Sequence, residues 1–155
     1  MFAPRDTTTH LRILTKHTPR FVSRRMSTHP SLTPISTNNA SGAIGPYSQA
    51  IKAGDLLFVS GCIPMDPKSG EIVQGIEEQT TQTLKNLIAV VNAGGSELGK
   101  VVKTTVFLKN MNDFVTVNGI YAAAFGLHKP ARSTVEVARL PRDVLVDIEC
   151  IASLK

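Results

Sequence analysis

The chain has 155 residues, 17 Lys plus Arg against 12 Asp plus Glu, 42% apolar residues and two cysteines. That length supports one domain with a true core, no apolar run is long enough to span a membrane, and two thiols make no disulfide framework. The formal charge of +5 is unevenly placed: six basic residues (Arg5, Arg12, Lys16, Arg20, Arg24, Arg25) and one acid (Asp6) precede Ser27, which leaves 11 of each sign beyond it. A neutral domain lacks the broad basic footprint of a nucleic-acid binder. Cys62 and Cys150 have no metal-ligand spacing, and His10, His17 and His29 lie early in the chain, leaving His128 alone further on. A metal site or a Ser-His-Asp triad has too few parts, so neither metal nor cofactor is expected.

Residues 1–26 are rich in Arg, Ser and Thr and nearly free of acids. That composition suits a mitochondrial transit peptide or, alternatively, a disordered basic extension. The first reading places the mature protein in the mitochondrial matrix, with cleavage near Arg24–Ser27. Met26 offers a second start and hence a cytosolic form. Residues 27–155 form the single domain.

The segment 29–39 is extended, with a first strand near Leu32–Thr37. Gly42, Gly45 and Pro46 make 40–49 a loop. Strands follow over Gln49–Ala53 and Leu56–Ile63, joined by a hairpin turn at 53–55. Gly61 allows close backbone approach, either for an anionic oxygen or simply as a bulge glycine. Asp66 to Gly70 is a turn by composition. From Glu77 to Ala93, Leu84, Leu87, Ile88 and Val91 follow helical spacing, while Lys85, Asn86 and Asn92 fall elsewhere. Gly94 and Gly95 stop this helix. Val101–Leu108 reads as a strand with Val102, Thr104, Val106 and Leu108 on one face. Asn112 can cap a second helix that runs to about Phe125. Its stripe is Phe114, Val117, Tyr121, Ala124 and Phe125. Asn118 sits on that stripe and needs a hydrogen-bond partner there.

Two strands close the chain. Ser133, Val135 and Val137 share one face of the first, and Arg132, Thr134 and Glu136 the other. In the second, Val144, Val146, Ile148, Cys150 and Ala152 oppose Leu145, Asp147, Glu149 and Ile151. If the apolar faces share a core, Arg132, Asp147 and Glu149 share the opposite surface. The link 139–143 suits a short antiparallel connection, which would bring Asp147 or Glu149 within a pair or two of Arg132. Such a surface suits a small acid and a water, or carries an ordinary cross-strand ion pair. The whole order predicts an α+β domain with helices on one sheet face. The bare face then needs a partner.

Several motifs carry a resemblance. They are Gly-Pro-Tyr-Ser-Gln (45–49), Ser60-Gly61, Pro-Ala-Arg-Ser (130–133), Val-Glu-Val-Ala-Arg-Leu-Pro (135–141) and Asp-Ile-Glu (147–149). Together they resemble the RidA/YjgF family of reactive-intermediate deaminases over roughly Ile35–Leu154. The resemblance implies a chorismate-mutase-like fold, a mixed six-stranded sheet with two helices on one face, and a homotrimer with ligand clefts between subunits. It implies hydrolysis of 2-iminopropanoate and 2-iminobutanoate to keto acids and ammonia. Arg132 would grip the substrate carboxylate and the Gly61 N–H its second edge. Asp147 would hold or deprotonate the water. Tyr47, with its hydroxyl facing the ligand as a third catalytic group, Ser60 and Asn118 would line the pocket and orient substrate and water, and Thr134 would join the substrate-binding residues. Three positions depart from the pattern. Asp147 stands where Glu is usual, Thr134 where many members carry Cys, and Lys129 where an aromatic is common. A shorter acid at 147 leaves room for a non-catalytic carboxylate-binding module. A ribonuclease or translation inhibitor is a third reading, against which the neutral domain argues.

Overall fold

The computed structural model describes residues 29–155, so the leader expected over 1–26 lies outside the described residues. The elements are β1 (Leu32–Ile35), β2 (Ala50–Ala53), β3 (Leu56–Cys62), α1 (Ile76–Ala93), β4 (Val101–Leu108), α2 (Phe114–Phe125), β5 (Ala131–Glu136) and β6 (Val146–Ser153). They build one mixed six-stranded sheet in the order β1-β2-β3-β6-β4-β5. Gly54, at φ 57°, allows the two-residue turn between β2 and β3, where Ala53 pairs with Leu56.

Both helices lie on one face of the sheet. Leu84, Leu87, Val90 and Val91 of α1 and Val117, Tyr121 and Phe125 of α2 join the core with Leu57, Val59, Val106, Leu108, Val146, Ile148, Cys150 and Ala152. Alternate residues along the strands are therefore buried, as a half-covered sheet requires. Asn86 departs from the helix pattern. It is fully buried, and its side-chain amide donates to the carbonyls of Ile63 and Met65, both at 2.9 Å. Paired in this way it is no burden to the core, and it fastens the chain beyond β3 to α1. The start of α2 also differs from expectation. Asn110, not Asn112, supplies the cap, accepting from the Asn112 N–H at 2.9 Å across a 3-10 turn that leads into the helix.

Two bulges set which residues face the core. In β4 the register slips between Val101 and Lys103. Val101 is buried and Val102 is 51% exposed, so Val102 does not share the face of Thr104, Val106 and Leu108. In β3 the register slips between Val59 and Cys62. Ser60 and Gly61 occupy the bulge, and Cys62 returns to the core face opposite Ile148.

The last two strands do not pair with each other. β4 lies between them, antiparallel to β6 and parallel to β5. The helix α2 forms the crossover from β4 to β5, the connection that parallel neighbours need. Arg132 is in register with Thr104, which is buried under α2. Arg132 and Thr134 therefore face the helices, and Ser133 and Val135 face away. Asp147 and Glu149 are in register with Phe107 and Thr105, on the helix-free face. The expectation that Arg132 and Asp147 share a surface is thus wrong for a single chain. On β5 the weakly apolar face points away from the core, because this edge strand lies beside α2 and uses Arg132 as a packing residue.

Candidate active site in two halves

The first half lies on the helix-free face. A cleft of about 290 Å³ is lined by Ile44, Tyr47, Ser60, Gly61, Ile63, Pro141 and Asp147. The β3 bulge shapes it. A Cβ added to Gly61 would lie 2.7 Å from Asp147 Oδ1 and 2.8 Å from Oδ2. Only glycine leaves room for the carboxylate here. Asp147 is 9% exposed, and its Oδ1 has no hydrogen-bond partner among the described residues. Burial pushes its pKa up to about 6; the Ile148 N–H opposes this and the Glu149 charge adds to it. A buried acceptor without a partner costs stability, and it marks where a water or ligand proton belongs.

The loop residues around this carboxylate hold one another. The Tyr47 hydroxyl accepts from the Ile44 N–H at 3.2 Å, and the Ser60 hydroxyl donates to the Ser48 carbonyl at 2.8 Å. Gln49 ties the loop at three points. Its Oε1 accepts from the Thr37 N–H at 2.6 Å, and its Nε2 donates to the carbonyls of Thr37 and Ser41. Pro141 begins a corner in which Arg142 and Asp143 have φ of 58° and 56°. Left-handed backbone is costly for non-glycine residues. Lys109 secures the corner through a 2.8 Å ion pair to Asp143.

The second half lies under α2 at the sheet edge. Asn118, Tyr121, Ala122, Phe125, His128, Lys129, Pro130 and Arg132 line a cleft of about 370 Å³. Arg132 Nη2 donates to Asn118 Oδ1 at 2.7 Å. The guanidinium carbon lies 4.6 Å from the Tyr121 ring centre and 5.8 Å from that of Phe114. Tyr121 is itself fixed by a 2.8 Å hydrogen bond with Thr104. Phe114, Asn118 and Tyr121 recur at i, i+4 and i+7, so one stripe of α2 forms the cradle. Among the described residues Arg132 pairs with no carboxylate. It is a positioned cation whose charge no carboxylate of the described residues cancels. Thr134 lies on the same face of β5, half-buried, two residues along.

Tyr47, Ser60, Gly61 and Asp147 therefore gather in one half, and Arg132, Asn118 and Thr134 in the other. The strand pattern alone missed Ile44 and Pro141 beside Asp147, and the stacking of Phe114 and Tyr121 on Arg132. Glu149 joins neither half. It faces Lys103, Thr105, Phe58 and Ile151 across a separate depression on the helix-free face. The two thiols are poor nucleophiles. Burial raises Cys62 above its ordinary range and pushes Cys150 up to about 12.

Comparison with known proteins decides the family. A family model described as endoribonuclease L-PSP, also known as RidA/YjgF, matches residues 37–154. The chain belongs to this family. A RutC family protein of Pyrococcus horikoshii is 59% identical over 119 residues, covering 76% of this chain and 94% of the relative. The 2-iminobutanoate/2-iminopropanoate deaminase of Escherichia coli is 51% identical over 121 residues, with coverage of 76% and 94%. The crystal structure of Escherichia coli TdcF with bound serine is 44% identical with a TM-score of 0.76, covering 78% of this chain and 98% of that one. The sheet order and the two helices are those of the RidA/YjgF fold. The matched region includes both halves of the site.

Proposed function

We propose that the protein hydrolyses short 2-imino acids to 2-keto acids and ammonia at sites assembled from two copies of the chain. The observation that carries this is the separation of the two halves. A positioned cation without a carboxylate partner lies on one side of the sheet, and a buried carboxylate oxygen without a hydrogen-bond partner lies on the other. Neither half is a complete site alone. The helix-free face also exposes Phe58, Val102 and Val135. Such a surface favours association, and a closed ring of copies would set each Arg132 edge against a neighbour's Asp147 cleft. A trimer is the smallest such ring in which every copy uses both halves on different neighbours. The relative named as an imine deaminase supports the chemistry.

The imine is already electrophilic, so the protein needs only to hold and orient. Arg132 forms a charge-assisted, two-pronged contact with the substrate carboxylate, worth about 1.5–3 kcal/mol. Asp147 of the adjoining copy accepts a proton from water as the oxygen adds to the C=N carbon. The nitrogen takes up that proton and then the one the new hydroxyl gives up, the C–N bond breaks as the C=O forms, and ammonia leaves. Imine and water become keto acid and ammonia, with no change of oxidation state. Tyr47, Ser60 and Gly61 shape the cleft around the water, and Asn118 and Thr134 the face around Arg132.

The test measures ammonia and keto acid from 2-iminobutanoate generated in situ, with wild type beside Arg132→Ala and Asp147→Ala. Hydrolysis above the buffer rate that both variants abolish is expected. Wild-type rates equal to buffer would reject the enzyme and leave a carboxylate-binding module. On composition, residues 1–26 act as a mitochondrial leader. N-terminal sequencing of protein purified from the organelle should show loss of Met1, and an intact Met1 there would reject cleavage.

A further inference from the structure

The Arg132 half holds a second cation whose role the short imines leave unexplained. Lys129 lines the same cleft as Arg132, and no Asp or Glu lines it with them. The third basic side chain there, His128, is engaged elsewhere, with Nε2 at 2.7 Å from the Val101 carbonyl. Lys129 is exposed, and its ammonium donates to the Gly126 carbonyl at 3.1 Å. An ammonium has three donors, so two stay free for a ligand. Pro130 fixes the backbone between the two cations, and Ala131 and Arg132 are already in β5. Three extended residues separate their Cα atoms by roughly 10 Å. Both side chains line one cleft of about 370 Å³, which has room for a short methylene chain between two carboxylates. Tyr121, Ala122 and Phe125 supply an apolar wall for such a chain.

We propose that this cleft takes 2-imino dicarboxylates, such as 2-iminosuccinate and 2-iminoglutarate, with the α-carboxylate on Arg132 and the distal carboxylate on Lys129. This rests on the deaminase reading for its chemistry but not for its binding. Lys129 is thus a specificity-determining residue: it selects the substrate's far end and takes no part in the reaction.

Binding and turnover test it separately. Calorimetry on the full chain with 2-oxoglutarate and with 2-oxobutanoate should show tighter binding of the dicarboxylate. Lys129→Gln should lower the ratio of the two affinities about two- to fivefold, the upper part of the range for one solvent-accessible charge contact, and the effect should fade in high salt. In turnover, the same variant should shift the ratio of kcat/KM for 2-iminoglutarate over 2-iminobutanoate in the same direction, mainly through KM. An affinity ratio that Lys129→Gln leaves unchanged would overturn the proposal. Binding that follows the expected pattern without any imine hydrolysis would overturn the deaminase reading and keep the dicarboxylate site.

Discussion

Arg132 reaches from the edge strand to the helix above it and donates to Asn118 at 2.7 Å, between the rings of Tyr121 and Phe114. A neutral acceptor holds the guanidinium without cancelling its charge. Asn118→Ala removes that anchor and should raise KM for 2-iminobutanoate about tenfold, with a smaller change in kcat. Arg132→Lys should be worse, since an ammonium cannot reproduce the planar fork. Steady-state kinetics of the two variants checks the order.

In the proposed reaction Asp147 links activity to pH. Its deprotonated form would be the base, so activity should be present above its pKa and lost as pH falls through it. Burial sets that pKa at about 6 in the single chain. The arrival of a neighbour's Arg132 would pull it down. The acid limb of kcat/KM in the wild type should therefore lie at or below about pH 6. A limb centred well above that pH would assign the base elsewhere.

Gly61 is required by the carboxylate that lies over it. In Gly61→Ala the new methyl would lie 2.7 Å from Asp147 Oδ1, and the side chain must turn away. A displacement of about 1 Å at a water-holding group can cost on the order of a hundredfold in rate. We expect kcat to fall tenfold or more, while thermal unfolding still shows a cooperative transition.

Sites shared between copies can be complemented. Arg132→Ala and Asp147→Asn should each be inactive alone. Mixed after joint denaturation and refolding, or coexpressed, they should recover about a quarter of wild-type activity if copies assort at random in a ring. No recovery would reject a site shared between copies.

The local elements were legible because their signals are local. Leu84, Leu87 and Val91 announce α1, Gly54 turns the β2–β3 hairpin, and the alternation through β6 assigns Asp147 to the face away from Ile148. The relation of β5 to β6 was not. A short polar link made them look like a hairpin, although a strand–helix–strand order at 101–136 already argued that β4 and β5 run parallel side by side. Given that pairing, Arg132 beside Thr104 would have been read on the helix side. Val102 misled for another reason: a bulge shifts strand phase, and alternation alone cannot register an inserted residue. Of the candidate site, the two clusters were each within reach of motif and pattern, but their separation by the sheet follows only from topology.

The β3 bulge works as a phase changer. Before it, Leu57 and Val59 point to the core; after it, Cys62 does, which no unbroken strand would allow. This hairpin should therefore tolerate exchanges of side chain far better than changes of length. Loss of one residue at Ser60 would leave Cys62 on the core face of a plain strand but erase the bulge that sets Gly61 against Asp147, so the core would survive and the cleft above it would lose its shape.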